Sequence, residues 1–281
     1  MEPNNIQNNQ EIKETQEVKT ENTMPVMKNN SQSQIAGAII IAGLIIAGAV
    51  LLKGNSTPST QAGMNPITAV TVAPISATDR VIGSPDTKLK LVMYEDFQCP
   101  FCGRFVADSE QMIKSTYVAN NQIEFVYRDY AFLGAESVKS AEAARCAEDQ
   151  GQFWQYHDYL FAHQAGENQG GFADPKLETF AKTLGLDTAK FNQCLNSDQH
   201  LQDVTDSTNE GKTAGVQGTP KGFIITQKDI STSTQNAIIK SLNIPAGTQA
   251  PVSFYTNKKI MSIDGALPSA MMKSIIDMLL K

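Results

Sequence analysis

Basic runs, glycine-rich phosphate loops and internal repeats are absent from this 281-residue chain, and it has only four cysteines, three histidines and one tryptophan. The net charge of −6, with no cationic cluster to offset it, argues against a nucleic-acid partner. The few metal-binding residues limit metal chemistry. A zinc site at Cys99 and Cys102 would need two more ligands at suitable spacing. Cys146 and Cys194 are isolated singles, and His157, His163 and His200 form no second pair. Neither a metal nor an organic cofactor is expected, and His157 and His163 read as surface or capping residues.

One stretch has no charge at all. Residues 1 to 34 are polar, with scarcely a large apolar side chain, which is the composition of a disordered tail. The run "IAGAIIIAGLIIAGAVLL", residues 35 to 52, then carries no charged residue before Lys53. It is long enough to cross a bilayer and lacks the polar face of a soluble helix. The long polar region before it and the absence of a small-x-small cleavage site favour an uncleaved anchor over a signal peptide. Lys19, Lys28 and Lys53 barely discriminate its orientation. The cysteine usage suits an oxidising compartment, which places the main domain outside and the tail in the cytoplasm. Residues 53 to 83, beginning "KGNSTPSTQAGMNP", have linker composition.

The stretch "MYEDFQCPFCGRF", residues 93 to 105, raises the chemical question. A Cys-x-x-Cys spacing alone fits a metal clamp, a staple or a redox couple. Upstream, "KLKLVMYEDF" reads as a strand; downstream, Phe105, Met112, Ile113, Tyr117 and Val118 recur at helical spacing. Pro100 suits the first helical position. Cys99 then sits at a helix start, where free N–H groups and the dipole stabilise a thiolate, with Cys102 one turn on. That is the geometry of a redox pair. A staple with so short a loop would restrict the unfolded chain little. Cys146 and Cys194 lie in helical segments beside apolar neighbours, and a structural disulfide is expected between them; the alternative is two buried free thiols.

From Ser84 onward, strand and helix patterns alternate. "QIEFVYRDYAF" reads as a second strand, and a largely helical block follows from about 134 to 212. "GFIITQ", "VSFYTN" and "KKIMSID" restore β character, with a hairpin turn at Asn257 and Lys258, and "LPSAMMKSIIDMLLK" closes the chain as an amphipathic helix. The expected class is α/β. Phe153, Trp154, Tyr156 and Phe161, at helical spacing, are assigned to packing in the helical block, and residues 228 to 249 to a surface insertion.

Several separated motifs, "GSPDTKLKLVMYEDFQCPFCGRF", "SAEAARCAEDQGQFWQYHDYLFAHQ", "FNQCLNS", "GVQGTP" and "IDGALPSAMMKSIIDMLL", occur in an order that resembles the DsbA-like branch of the thioredoxin superfamily, over most of residues 83 to 281. The resemblance implies a thioredoxin fold with an inserted helical domain, acting on thiols and disulfides of exported proteins. It makes Cys99 the exposed attacking cysteine, Cys102 the buried resolving one, and Thr219-Pro220 the loop whose cis-proline faces them. Pro251 is a weaker candidate for that proline. The implied membrane partner is a quinone-linked oxidase if the protein forms disulfides, or an electron donor if it reduces or isomerises them. A tethered binding or chaperone module with structural cysteines is the rival of a different class. Two departures stand out: Met93 occupies the position of a buried acid that helps move a proton at the resolving cysteine, and Pro100-Phe101 lacks the histidine of strongly oxidising relatives. Glu95 and Asp96 are nearby, but strand alternation points them to opposite faces, so at most one substitutes for the acid.

Overall fold

A computed structural model describes residues 70–281. The apolar run at 35–52, the polar tail and most of the linker lie outside the described residues. Among those described, no helix is long and apolar enough to cross a membrane.

A six-stranded mixed sheet organises the domain, in the order β1-β3-β2-β4-β6-β5. Its strands are β1 (Arg80–Ile82), β2 (Leu89–Glu95), β3 (Ile123–Asp129), β4 (Lys221–Thr226), β5 (Val252–Phe254) and β6 (Ile260–Asp264). Only β2 and β3 run parallel, and the crossover between them is one helical run, α1. This run is α-helical at Pro100–Phe105 and Gln111–Ile113 and π-helical at Val106–Glu110 and Lys114–Val118. Between β3 and β4 comes the helical block: α2 (Ala135–Glu148), α3 (Phe153–Ala162), α4 (Asp174–Thr183), α5 (Thr188–Asn196) and α6 (Leu201–Thr213). Helices α7 (Thr232–Ser241) and α8 (Ser269–Leu279) complete the fold.

Strand alternation sorts the core into two layers. Leu89, Leu91 and Met93 of β2 join Phe125 and Tyr127 of β3 in the larger layer, with α1, α3 and α8 over them. Val92 and Tyr94 face the other way, with Val126, Phe223 and Tyr255. Met93 lies opposite Gly222 of β4. A Cβ at Gly222 would come within 2.7 Å of the Met93 sulfur, so glycine there lets the thioether lie flat on the sheet.

Three expectations change. The linker does not extend to residue 83: Val70, Val72 and Ile75 pack on the second layer, and β1 pairs with β3. Arg128 holds this segment, donating to Asp79 at 2.7 and 2.9 Å and to the carbonyls of Ala73 and Pro74 at 3.1 and 3.2 Å. The linker composition hides a guanidinium contact made from a strand about 50 residues on. Residues 228 to 249 lie at the surface, yet they form α7 and bury Ile230, Ile238 and Leu242, because apolar residues at helical spacing cover the core beside α8. His157 is neither on the surface nor a cap. It is fully buried, with the rings of Phe97, Tyr127, Trp154 and Phe161 4.9 to 5.7 Å from its own. His163, in contrast, ends α3 with Nδ1 2.8 Å from the Tyr159 carbonyl. Trp154 is partly covered, while Phe153, Tyr156 and Phe161 are buried.

Cys146 of α2 and Cys194 of α5 form a disulfide, with Cα atoms 5.8 Å apart and a sequence separation of 48. It ties the start of the helical block to its far side. For a loop of this length, chain entropy gives about 4 kcal/mol. Replacing both cysteines by alanine is expected to lower the melting temperature by about 10 °C, measured calorimetrically at constant pH; an unchanged transition would show that the cross-link adds nothing to the packed helices.

Candidate functional site

The loop from β2 to α1 is held by side chains that the spacing does not mark. Asp96 accepts from the Gln98 N–H and the Ser137 hydroxyl through one oxygen, at 2.8 and 2.7 Å. Its other oxygen accepts from the N–H groups of Phe132 and Leu133 at 2.9 and 3.1 Å. Gln164 reaches across from beyond α3 and donates to the carbonyls of Phe97 and Cys99 at 2.7 and 2.9 Å. Gly103 leaves room for it: a Cβ there would lie 2.3 Å from the Gln164 Oε1. Contacts from several elements thus fix the backbone before Cys99.

Cys99 is the residue preceding the first turn of α1, in extended conformation, with Pro100 at the first helical position. Its carbonyl accepts from the Gly103 N–H at 3.1 Å. Both thiols are free. The Cys99 Sγ lies 3.3 Å from the Thr219 carbonyl oxygen, and the Thr219–Pro220 bond is cis, the only such bond among the described residues. Pro251, the weaker candidate, therefore has an ordinary trans bond. Cys99 is 5 % exposed and Cys102 fully covered, so the first cysteine is less open than a helix start on its own would suggest, because the Thr219 loop closes over it. Beside it Phe101 is 51 % exposed, with the Arg104 guanidinium 4.2 Å above its ring.

The two thiols are pushed apart in acidity. The Cys102 thiol, which donates to the Cys99 sulfur, lowers the Cys99 pKa to about 6, against the opposing effect of burial; Thr219 and the N–H groups of Cys102 and Phe101 add to the lowering. Burial drives Cys102 well above the ordinary thiol range, helped by its bond to Cys99 and by the charge of Glu95. One thiol is thus primed to attack and to leave as a thiolate, while the other is kept protonated.

Of the two acids that follow Met93, only Glu95 lies on its face of the sheet. Being two residues further along β2, it shares the face of Met93 and turns toward α1, while Asp96 is spent on the loop. Glu95 is fully buried, and neither carboxylate oxygen has a hydrogen-bond partner. Glu110 and His157, with no sequence signal beyond their types, join it: one donor atom from each of the three lies within 4.8 Å of the others.

The lowered Cys99 pKa sets an expected outcome. In the reduced protein, alkylation of Cys99 should rise as pH passes about 6 and level off above it, while Cys102 stays unmodified until the chain unfolds. A pKa depressed on folding means that the thiolate's contribution to stability is complete above the unfolded value of about 8.5 and is lost as pH falls through the folded one. Mass spectrometry after timed iodoacetamide labelling checks this; a midpoint near the ordinary thiol value would contradict it.

Comparisons with known proteins agree with this geometry. A family model described as thioredoxin matches residues 76–243. Over 152 residues the chain is 22% identical to the probable disulfide bond formation protein D of Bacillus anthracis, covering 53% of this chain and 70% of that one. Over 148 residues it is 30% identical to part of Na(+)/H(+) antiporter NhaA 1 of Salinispora arenicola, covering 52% of this chain and 21% of that one; the chain spans about a fifth of the length of that first curated relative. Among solved structures, alpha-DsbA1 of Wolbachia pipientis superposes with a TM-score of 0.57 at 19% identity, covering 74% of this chain and 92% of that one. Oxidised BdbD from Bacillus subtilis also gives 0.57, at 20% identity, covering 76% and 98%. These likenesses extend to the fold, with its helical block between β3 and β4. The family match spans more than half of the chain, and this chain belongs to the thioredoxin family, with a fold like that of the DsbA structures on which it superposes.

Proposed function

We propose that the protein is a thiol–disulfide oxidoreductase that works through the Cys99–Cys102 pair as a disulfide-forming oxidase. The observation that carries this reading is the Cys99 sulfur at the start of α1, against the Thr219 carbonyl and over a buried partner thiol. In the disulfide form, a substrate thiolate attacks the Cys99 sulfur. The bond to Cys102 breaks, its electron pair stays on Cys102, and a mixed disulfide forms. A second substrate thiolate attacks the substrate sulfur, and Cys99 leaves as a thiolate. The substrate loses two electrons and the pair gains them.

Acidity supports this direction. Lowering the Cys99 pKa from 9.0 to about 6 stabilises the reduced pair at pH 7 by about 1.4 kcal/mol, or about 30 mV for a two-electron couple. That bias makes the disulfide form the better oxidant. The cis Thr219–Pro220 loop borders the sulfur, where an extended substrate segment could pair with its backbone. The proposed substrates are exported proteins with free thiols, and a membrane quinone-linked oxidase would re-oxidise the pair. Residues 35 to 52 serve as the anchor of a single-pass membrane protein with its catalytic domain outside the cytoplasm.

Two outcomes are expected. Cys102→Ala protein should accumulate long-lived mixed disulfides with client proteins on non-reducing gels, because the internal thiol that releases them is gone, whereas Cys99→Ala should neither capture clients nor exchange disulfides. Capture-free Cys102→Ala together with an active Cys99→Ala would mean that the pair is a staple. Separately, protease added to spheroplasts should digest the domain and spare the first 34 residues; a protected domain would reverse the orientation.

A further inference from the structure

In the helical block, the Cys146–Cys194 disulfide has polar neighbours that a structural cross-link does not require. His200, the residue preceding the first turn of α6, brings a ring nitrogen within 4.8 Å of both sulfurs. Its Nε2 is 2.9 Å from an Asp149 oxygen and its Nδ1 3.0 Å from Asp203. The same Asp149 oxygen lies 3.7 Å from the Cys194 sulfur and accepts from the Gln199 side chain at 2.9 Å. Arg145 Nη1 stands 3.8 Å from Asp203. Along the chain these residues form no ligand pattern; the packing of α2, α5 and the start of α6 assembles them.

We propose that, in the dithiol form of the Cys146–Cys194 pair, Cys146, Cys194, His200 and Asp149 bind a zinc ion, so that the helical block is cross-linked in both redox states.

The donor set carries the first argument. Two thiolates, an imidazole and a carboxylate are ligands that zinc takes in tetrahedral array, with bonds of about 2.3 Å to sulfur and about 2.0 Å to nitrogen and oxygen, which sets ligand atoms roughly 3 to 4 Å apart. Asp149 already stands at 2.9 Å from the His200 Nε2 and 3.7 Å from the Cys194 sulfur, and breaking the disulfide frees the two sulfurs to separate to the same range. The second argument is the outer shell. A zinc-bound imidazole normally gives its other N–H to a carboxylate, which fixes the tautomer and raises the basicity of the ligating nitrogen. Asp203 occupies that place at Nδ1 and leaves Nε2 for the metal. Access is the third. The Asp149 side chain is 43 % exposed, so it offers an ion a first contact from solvent beside sulfurs that are otherwise buried.

A newly made chain, whose cysteines are thiols, reaches the zinc form with no reductant. Zn²⁺ replaces one proton on each thiol, with His200 neutral and Asp149 ionised, and two protons leave to solvent. From the disulfide, a dithiol reductant is needed. Its thiolate attacks one sulfur of the pair, its second thiol displaces that sulfur, and the reductant leaves as its own disulfide, having given two electrons to Cys146 and Cys194. A disulfide oxidant reverses the change: it takes two electrons from the thiolates, the Cys146–Cys194 bond closes and the ion is released. Both forms join α2 to α5, and the metal adds the start of α6. Cys99 and Cys102 take no part.

Metal titration of the reduced protein tests the proposal. The full chain carrying Cys99→Ser and Cys102→Ser, which removes the other dithiol, is reduced with a phosphine and titrated without oxygen, first with cobalt(II) and then with zinc. One equivalent of cobalt should give the intense absorption of tetrahedral thiolate coordination, zinc should displace it, and about two protons should be released per ion. His200→Ala and Asp149→Ala should each weaken zinc binding at least about 10-fold, and Asp203→Asn, which acts through His200, by about 10-fold. Zinc should raise the melting temperature of the reduced protein and leave that of the disulfide form unchanged; this comparison needs no ligand variant and holds even if one folds poorly. Absence of the thiolate absorption, unchanged zinc affinity in His200→Ala or Asp149→Ala, or reduced protein that zinc does not stabilise would each overturn the site. A shift of equal size in the disulfide form would overturn it too, since it marks an adventitious ion only.

Discussion

The sulfur of Cys99 lies where a helix start, a buried thiol and the Thr219 carbonyl converge, and much of the surrounding structure serves to keep it there. A thiolate at a free helix end in water would gain only part of a kcal/mol from the dipole. Here the larger effect is the Cys102 thiol donating to it, and that requires the first turn of α1 to be held rigidly. Asp96 and Gln164 do this by satisfying backbone groups that the loop would otherwise leave without partners, and the Gln98 side chain ties the loop to the Ser137 hydroxyl. Burial of the pair in turn needs a sheet below and a helical block above, so the active thiol depends on contacts made by residues up to 120 positions apart.

Placing charge under that pair is expensive. Each unpaired ion taken into a protein interior costs several kcal/mol, yet Glu95, Glu110, Lys114 and His157 share one layer between β2, α1 and α3. Only some of the charges are matched. A fold optimised for stability alone would fill this space with apolar side chains such as Val92, Val126 and Phe223, which occupy part of the other face of the sheet.

The far face carries a different task. Arg128 joins Tyr94, Glu210, Asp79 and the backbone of residues 73 and 74 in one network. A planar guanidinium with five donors suits such a junction, which a lysine would not span. Residues 73, 74 and 79 are therefore clamped to the sheet through Arg128, which lies with Tyr94 on the layer opposite Met93 and Glu95.

The features legible along the chain were periodic and local. Alternation and helical spacing placed strands β2 to β6, the helical block at about 134 to 212 and the turn at Lys258, which has positive φ; β1 fell within the stretch read as linker. Pro100 after Cys99 placed the helix start, since proline is suited to that one position. The family resemblance, carried by several motifs in order, pointed to the Thr219-Pro220 loop. Tertiary structure decided whatever depended on partners distant in the chain. His157 has the sequence surroundings of an ordinary helical histidine, and only the packing of α3 on β2, β3 and α1 buries it. Glu95 differs from Asp96 by one step of strand alternation; which of the two faced the thiols was settled by the direction in which β2 enters α1. Residues 70 to 83 follow a segment of linker composition, and the reach of Arg128, the packing of Val70, Val72 and Ile75 and the pairing of β1 with β3 make them part of the domain. Local pattern records the preferences of a segment, whereas desolvation and ion pairing are properties of a place in the folded molecule, assembled from segments that no window along the chain contains together.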